Sequence, residues 1–260
     1  MKIKANGISM NHRIDGPQGA PWLVLSNSLA TNLTMWDEQV RALARSYRVL
    51  RYDQRGHGES DAPAGRYRFD QLIADAVALM DALEVKKAHF GGLSMGGATA
   101  CGLAQRHGDR LDRVIICDSP CQSTPATKQQ WEDRIAVAEK EGIEALVEPT
   151  IARWFPPETL KANPPHLETV RGMIRSTPVA GFIGCAAALA DHDFRSGIGQ
   201  VTQPVLFIVG DKDGTTPAAM RQMHEALPGS TFVELAGAGH ISNLDAPQAF
   251  NRAIESFLAA

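Results

Sequence analysis

The stretch that most constrains this chain is Gly91-Gly92-Leu93-Ser94-Met95-Gly96-Gly97. Lys87-Ala88-His89-Phe90 before it reads as a buried strand, and Ala98 to His107 after it reads as a helix. Gly92-Leu93-Ser94-Met95-Gly96 therefore fits G-x-S-x-G in a strand–turn–helix context, the geometry that lifts a serine hydroxyl out of a sharp turn. Side chains two residues on either side of such a serine would collide with it, and glycine removes the collision. A helix beginning at Met95 aims free N–H groups at the serine, where an oxyanion would form. Taken alone, the pentapeptide also fits a glycine-rich turn with an incidental serine. The rest of the chain decides.

Short apolar runs recur along the 260 residues: Trp22–Leu25, Arg48–Tyr52, Val114–Cys117, Val205–Val209 and Thr231–Leu235. Between them lie helical patterns, the clearest being Phe69, Leu72, Ile73, Ala76, Val77, Met80 and Leu83 at three- and four-residue spacing. Trp36, Val40, Leu43 and Ala44 share another helical face, residues 246–259 form a closing helix, and residues 1–14 suggest a hairpin turning at Asn6-Gly7. Short strands alternating with helices predict an α/β fold with a mostly parallel sheet covered on both faces. From about Ser119 to Phe194 the alternation stops. Residues 127–141, 143–153, 166–176 and 179–190 read as helices punctuated by Pro156-Pro157 and Pro164-Pro165. This predicts a core of residues 1–118 and 195–260, with a helical lid of residues 119–194 overhanging the carboxyl ends of the strands.

A net charge of -3 gives no footprint for nucleic acid, and no basic helix or long apolar stretch points to a membrane. Met1-Lys2-Ile3-Lys4 lacks the apolar run of a signal peptide, so a cytoplasmic enzyme is expected. Cys101, Cys117, Cys121 and Cys185 show no metal spacing and read as reduced thiols in or near the core. No metal or organic cofactor is expected.

A nucleophilic serine needs a base, and the base needs an orienting acid. Asp213 lies just beyond the 205–209 strand and His240 just beyond the 231–235 strand, giving the chain order Ser94, Asp213, His240. Asp118 also ends a strand and is the rival acid; Asp211 is two residues from Asp213. Among the other histidines, His57 in its Gly-flanked turn reads as a structural or supporting residue. His89 reads as a core or edge residue, and His192 between Asp191 and Asp193 as part of a solvated loop. A second oxyanion donor besides the Met95 N–H is expected in Ser26-Asn27-Ser28-Leu29, at the Leu29 N–H, contributing about 3 kcal/mol to transition-state stability.

Together these segments resemble the α/β-hydrolase superfamily over nearly the whole chain. Within it they are most similar to the 3-oxoadipate enol-lactonase family. The similarity is carried by Leu25–Leu29, Met35-Trp36-Asp37, Arg51–Ser60, Gly92–Gly97, Ala152–Phe155 and His240–Asn243. The Asn27-Ser28 pair is the more telling part, because most of the superfamily has His-Gly there. The resemblance implies opening of a small carboxylated lactone through an acyl-enzyme on Ser94, with a small-molecule substrate and a monomer or small homo-oligomer. A buried substrate carboxylate needs a cation. The lid offers Arg134, Arg153, Arg171 and Arg175. Arg134, three residues after Trp131 on the same helical face, is the first choice, with Trp154 as apolar wall and Ser28 as a further substrate contact. A general short-chain carboxylesterase, a hydrolase of another ring-cleavage product, and a non-catalytic ligand-binding module are the alternatives.

Overall fold

The computed structural model describes all 260 residues. Asn6 and Gly7, both at positive φ (45 and 78), turn the chain between β1 (Lys2–Ala5) and β2 (Ile8–Asp15), making the N-terminal hairpin. β3 (Trp22–Ser26), α1 (Asp37–Leu43), β4 (Arg48–Tyr52), α2 (Phe69–Ala82), β5 (Ala88–Leu93), α3 (Met95–Arg106) and β6 (Leu111–Cys117) follow. After α4 to α9, described below, come β7 (Val205–Gly210), α10 (Thr216–Glu225), β8 (Thr231–Leu235), α11 (Ser242–Asp245) and α12 (Pro247–Ala259).

The eight strands form one sheet in the order β1-β2-β4-β3-β5-β6-β7-β8, antiparallel at β1–β2 and β2–β4 and parallel elsewhere. β7 is the apolar centre of its half: Leu206, Phe207 and Ile208 are fully buried, each contributing about 1.5–3 kcal/mol relative to exposure. α2 buries Phe69, Leu72, Ile73, Ala76 and Met80 of the expected stripe and adds Leu79, while Val77 and Leu83 are only partly buried. Strand order reverses between β3 and β5, where Leu25 pairs with Gly91 and Ser26 with Gly92. The loops leaving those two strands are therefore neighbours at the topological switch point, the crevice where open α/β sheets bind ligands.

Between β6 and β7 the chain forms α4 (Pro125–Glu141), α5 (Val147–Trp154), α6 (Pro157–Ala162), α7 (Pro165–Ser176), α8 (Val179–Ala190) and α9 (Arg195–Ile198). The only strand-like feature there is a bridge between Gln122 and Asp193. α6 was not expected: Pro156-Pro157 reads as a break, yet proline at a first helical position starts a helix rather than ending one. His192 also departs from expectation. It does not lie in a solvated loop but is buried, its ring packed near Phe69 and Phe194 and its nitrogens facing the Leu189 and Pro120 carbonyls, while its two aspartate neighbours face solvent. All four cysteines are free and buried. No single helix is long and apolar enough to cross a membrane.

Candidate active site

Ser94 sits between β5 and α3 with φ 57 and ψ -113, a strained backbone for a non-glycine residue, worth roughly 1–3 kcal/mol and sustained only where the surroundings over-determine it. They do so here. The Ser94 N–H donates to the Cys117 carbonyl at 2.8 Å. A Cβ on Gly92 would lie 2.0 Å from the Gly96 carbonyl oxygen, and one on Gly96 would lie 2.2 Å from that of Ser26. The glycines thus let the turn close on itself and let the start of α3 press against the end of β3.

The His240 ring lies 2.9 Å from Ser94 Oγ through Nε2 and 2.7 Å from Asp213 Oδ2 through Nδ1. Ser94 follows β5, Asp213 follows β7 and His240 follows β8, so the carboxyl ends of three strands, with β6 between the first two, deliver the three side chains. Burial pushes the Asp213 carboxyl up, but His240 across the short contact, helped by Arg153, holds it below the usual carboxylate range. Asp118 is not part of this hydrogen-bonded line. It is fully buried, accepts the Gly210 N–H at 2.8 Å and the Ser242 hydroxyl, and does not touch His240. Burial and the adjacent Asp213 charge raise its pKa well above normal. Asp118 instead ties the loop bearing Asp213 to the segment just after His240. Asp211 points elsewhere, accepting the Gly237 N–H.

Backbone donors without a partner occur at the start of α3 and in the loop after β3. The Met95 N–H opens α3, and the Leu29 N–H has no acceptor although the Ser28 N–H faces Met35 Sδ and the Ala30 N–H is bound to His57. The loop carrying Leu29 is fixed from both sides: Asn27 donates to the Ser28 and Thr31 carbonyls, and Gln54 bonds the Asn27 side chain and carbonyl.

The insertion reaches the same place. The Trp154 ring stacks on His240 (centroids 5.9 Å apart, 29° between planes), and its carbonyl accepts the His240 N–H at 2.7 Å. Gly239 has no room for a side chain, since a Cβ would lie 2.2 Å from that carbonyl oxygen. Thr159 of α6 and the Gly239 N–H both bond Asp245. Sequence reasoning foresaw Trp154 only as a wall; no residue-type signal announces a backbone carbonyl as anchor.

The four arginines of the insertion divide. Arg171 and Arg175 form ion pairs with Glu144, Glu148 and Glu168 on the outside of the insertion. Arg134 and Arg153 have no acidic partner, and their guanidinium carbons lie 5.3 and 5.4 Å from the Trp131 ring centroid. Arg134 bonds only Thr150, and its Nε is buried without a partner. Burial and the neighbouring Arg153 push its pKa down to about 9, still charged at neutral pH. Arg153 is solvent-accessible yet enclosed enough for burial to lower its pKa against the pull of Asp213. Ser28 Oγ and Trp154 Nε1 are likewise buried without partners. Serine, tryptophan and arginine donors left unpaired in an interior are costly unless something polar meets them.

The family model described as alpha/beta hydrolase fold matches residues 21–136 and 167–247. The chain belongs to that family and is a hydrolase. It is 36% identical over 257 residues to 3-oxoadipate enol-lactonase 2 of Acinetobacter baylyi, covering 98% of this chain and 95% of that one. The crystal structure of the enol-lactonase from Burkholderia xenovorans LB400 superposes with a TM-score of 0.96 at 40% identity over the whole of both chains. A thermophilic esterase from Thermogutta terrifontis, in a malate-bound structure, superposes with a TM-score of 0.93 at 29% identity, covering 100% of this chain and 98% of that one.

Proposed function

We propose that the chain opens a small carboxylated lactone, 3-oxoadipate enol-lactone to 3-oxoadipate, by serine catalysis. The observation that carries this is the unbroken line Asp213–His240–Ser94 beside the unpartnered N–H groups of Leu29 and Met95. His240 takes the Ser94 proton as Oγ attacks the lactone carbonyl, Asp213 holds the Nδ1–H tautomer, and the two N–H groups bind the oxyanion. The ring C–O bond breaks. The enolate, still tethered to the acyl-enzyme, gains the proton from His240 and becomes a ketone. Water activated by His240 then attacks the acyl carbon and restores the Ser94 hydroxyl.

In this reading residues 119–194 are the lid of a core made of 1–118 and 195–260, in a cytoplasmic enzyme. Arg134 and Arg153 supply the charge that a substrate carboxylate needs, and Ser28 and Trp154 supply polar contacts. The resemblance to the two enol-lactonases supports that choice of substrate.

The test is turnover of the enol-lactone beside an uncharged nitrophenyl ester, in the wild type and in Ser94→Ala. The wild type should favour the lactone, and Ser94→Ala should lose about 10⁵–10⁶ in kcat with its fold intact. A folded Ser94→Ala protein keeping a tenth of the activity would sink the mechanism. Equal turnover of both substrates would leave a plain esterase.

A further inference from the structure

In the loop after β3 the Leu29 N–H has no acceptor, and the next residue, Ala30, is a non-glycine at φ 56. A residue in this left-handed region stays there only when its neighbours hold it. The holder is His57. The Ala30 N–H donates to His57 Nε2 at 2.8 Å, and His57 Nδ1 lies 3.1 Å from the Arg55 carbonyl, which fixes the tautomer that leaves Nε2 an acceptor. The ring is fully buried, and burial pushes its pKa down to about 4, so it is neutral at neutral pH. The turn that carries it is braced. Arg55 bonds both carboxylate oxygens of the buried Asp75 at 2.8 and 2.6 Å. A Cβ on Gly56 would lie 2.4 Å from the Gly181 Cα of α8.

We infer that His57 is a positioning residue for the oxyanion site: by accepting the Ala30 N–H it holds residue 30 in its left-handed conformation and so keeps the Leu29 N–H aimed at the carbonyl attacked by Ser94. His57 itself reaches no reacting atom. The inference rests on the serine mechanism proposed above, and the two fail separately. Activity surviving in Ser94→Ala removes the mechanism. An inactive Ser94→Ala beside a fully active His57 variant removes only the role of His57.

Two consequences separate this role from ordinary packing. An oxyanion donor acts mainly in the transition state, so displacing it lowers kcat rather than raising KM. The strain at residue 30 can also be relieved independently, because glycine adopts positive φ readily. The experiment compares His57→Phe, His57→Gln, and each combined with Ala30→Gly, in the full chain with a nitrophenyl ester. His57→Phe, which cannot accept a hydrogen bond, should lower kcat about 10²–10³-fold, the size of one lost oxyanion donor, with KM changed less than about threefold. His57→Gln, whose amide oxygen can accept, should keep kcat within about tenfold of wild type. Adding Ala30→Gly to His57→Phe should recover about tenfold of the lost kcat by removing the strain. Affinity for a boronic acid, which forms a tetrahedral adduct on the serine, should fall in step with kcat. If His57→Phe does not fold, His57→Gln with and without Ala30→Gly makes the same comparison. A folded His57→Phe with kcat within twofold of wild type, a loss confined to KM, or no recovery on adding Ala30→Gly would overturn the inference.

Discussion

The sheet side and the helical side of the region around Ser94 are built by different forces. On the sheet side, the loops after β3, β5, β7 and β8 are held by backbone pairing and by hydrogen bonds with buried side chains: Gln54 donates to the Asn27 carbonyl, His57 accepts the Ala30 N–H, and Asp118 accepts the Gly210 N–H. On the helical side, much of the outer surface is held by exposed ion pairs such as Arg171 with Glu148 and Arg175 with Glu144, each worth at most about 1 kcal/mol. The first arrangement fixes atoms for chemistry. The second tolerates change, because losing one exposed pair costs little. The exception on the helical side is the pair Arg134 and Arg153, whose charges no acid neutralises.

The sharpest break of this comparison lies on the sheet side. Asp213→Asn should cost about 10⁴ in kcat by fixing the wrong histidine tautomer. Asp118→Asn should cost less than about tenfold, since an amide oxygen can still accept the Gly210 N–H and the serine hydroxyl can turn round. Steady-state kinetics on both variants decides; a larger loss in Asp118→Asn would move the acid to the end of β6.

A smaller effect tests how firmly the sheet-side loops depend on neutral imidazole. Asp53, Arg55 and Cys185 are the titratable residues around His57. Its folded pKa of about 4 lies below the unfolded value of 6.5. As pH falls from 6.5 towards 4 the unfolded chain takes up a proton that the folded one refuses, so stability declines. The loss by pH 4.5 should be roughly 2–3 kcal/mol. Urea unfolding at pH 7 and 4.5 should show a smaller decline in His57→Gln than in wild type. Burial also lowers His12, His89, His166 and His192, but their contribution is common to both proteins and cancels. Identical declines would mean that His57 is not the group responsible.

The mildest change sharpens the helical side. Arg134→Met should weaken use of the carboxylated lactone by about 1.5–3 kcal/mol, read mainly in KM, and leave an uncharged ester nearly unaffected. Arg171→Met, which loses only surface ion pairs, should change neither substrate by more than about twofold. Equal effects of Arg134→Met on both substrates would take Arg134 out of the site.

Much of this was legible in the sequence because sheet position follows from apolar runs. Once Val205–Val209 and Thr231–Leu235 are strands, the residues just beyond them must emerge at one edge, and Asp213 and His240 stand there. What could not be read depends on contacts that carry no residue-type signature. Asp213 and Asp118 each end a strand, and only the 2.7 Å approach to His240 separates them. The four lid arginines look alike until their acidic neighbours are known, which is a matter of how α4, α5 and α7 pack. His192 was misread because its exposed neighbours Asp191 and Asp193 dominate the local composition, while the ring turns inward between two phenylalanines.

The bond from the His240 N–H to the Trp154 carbonyl sets a limit on modularity. Exchanging residues 119–194 for another helical segment would also exchange the anchor of His240. A chimera has to keep a backbone carbonyl at residue 154, a ring to lie on the imidazole and a glycine at 239, or the transplanted selectivity arrives with a slackened catalyst. Graft boundaries drawn inside 154–159 would therefore behave differently from boundaries drawn at the ends of the insertion, although the latter look cleaner on a topology diagram.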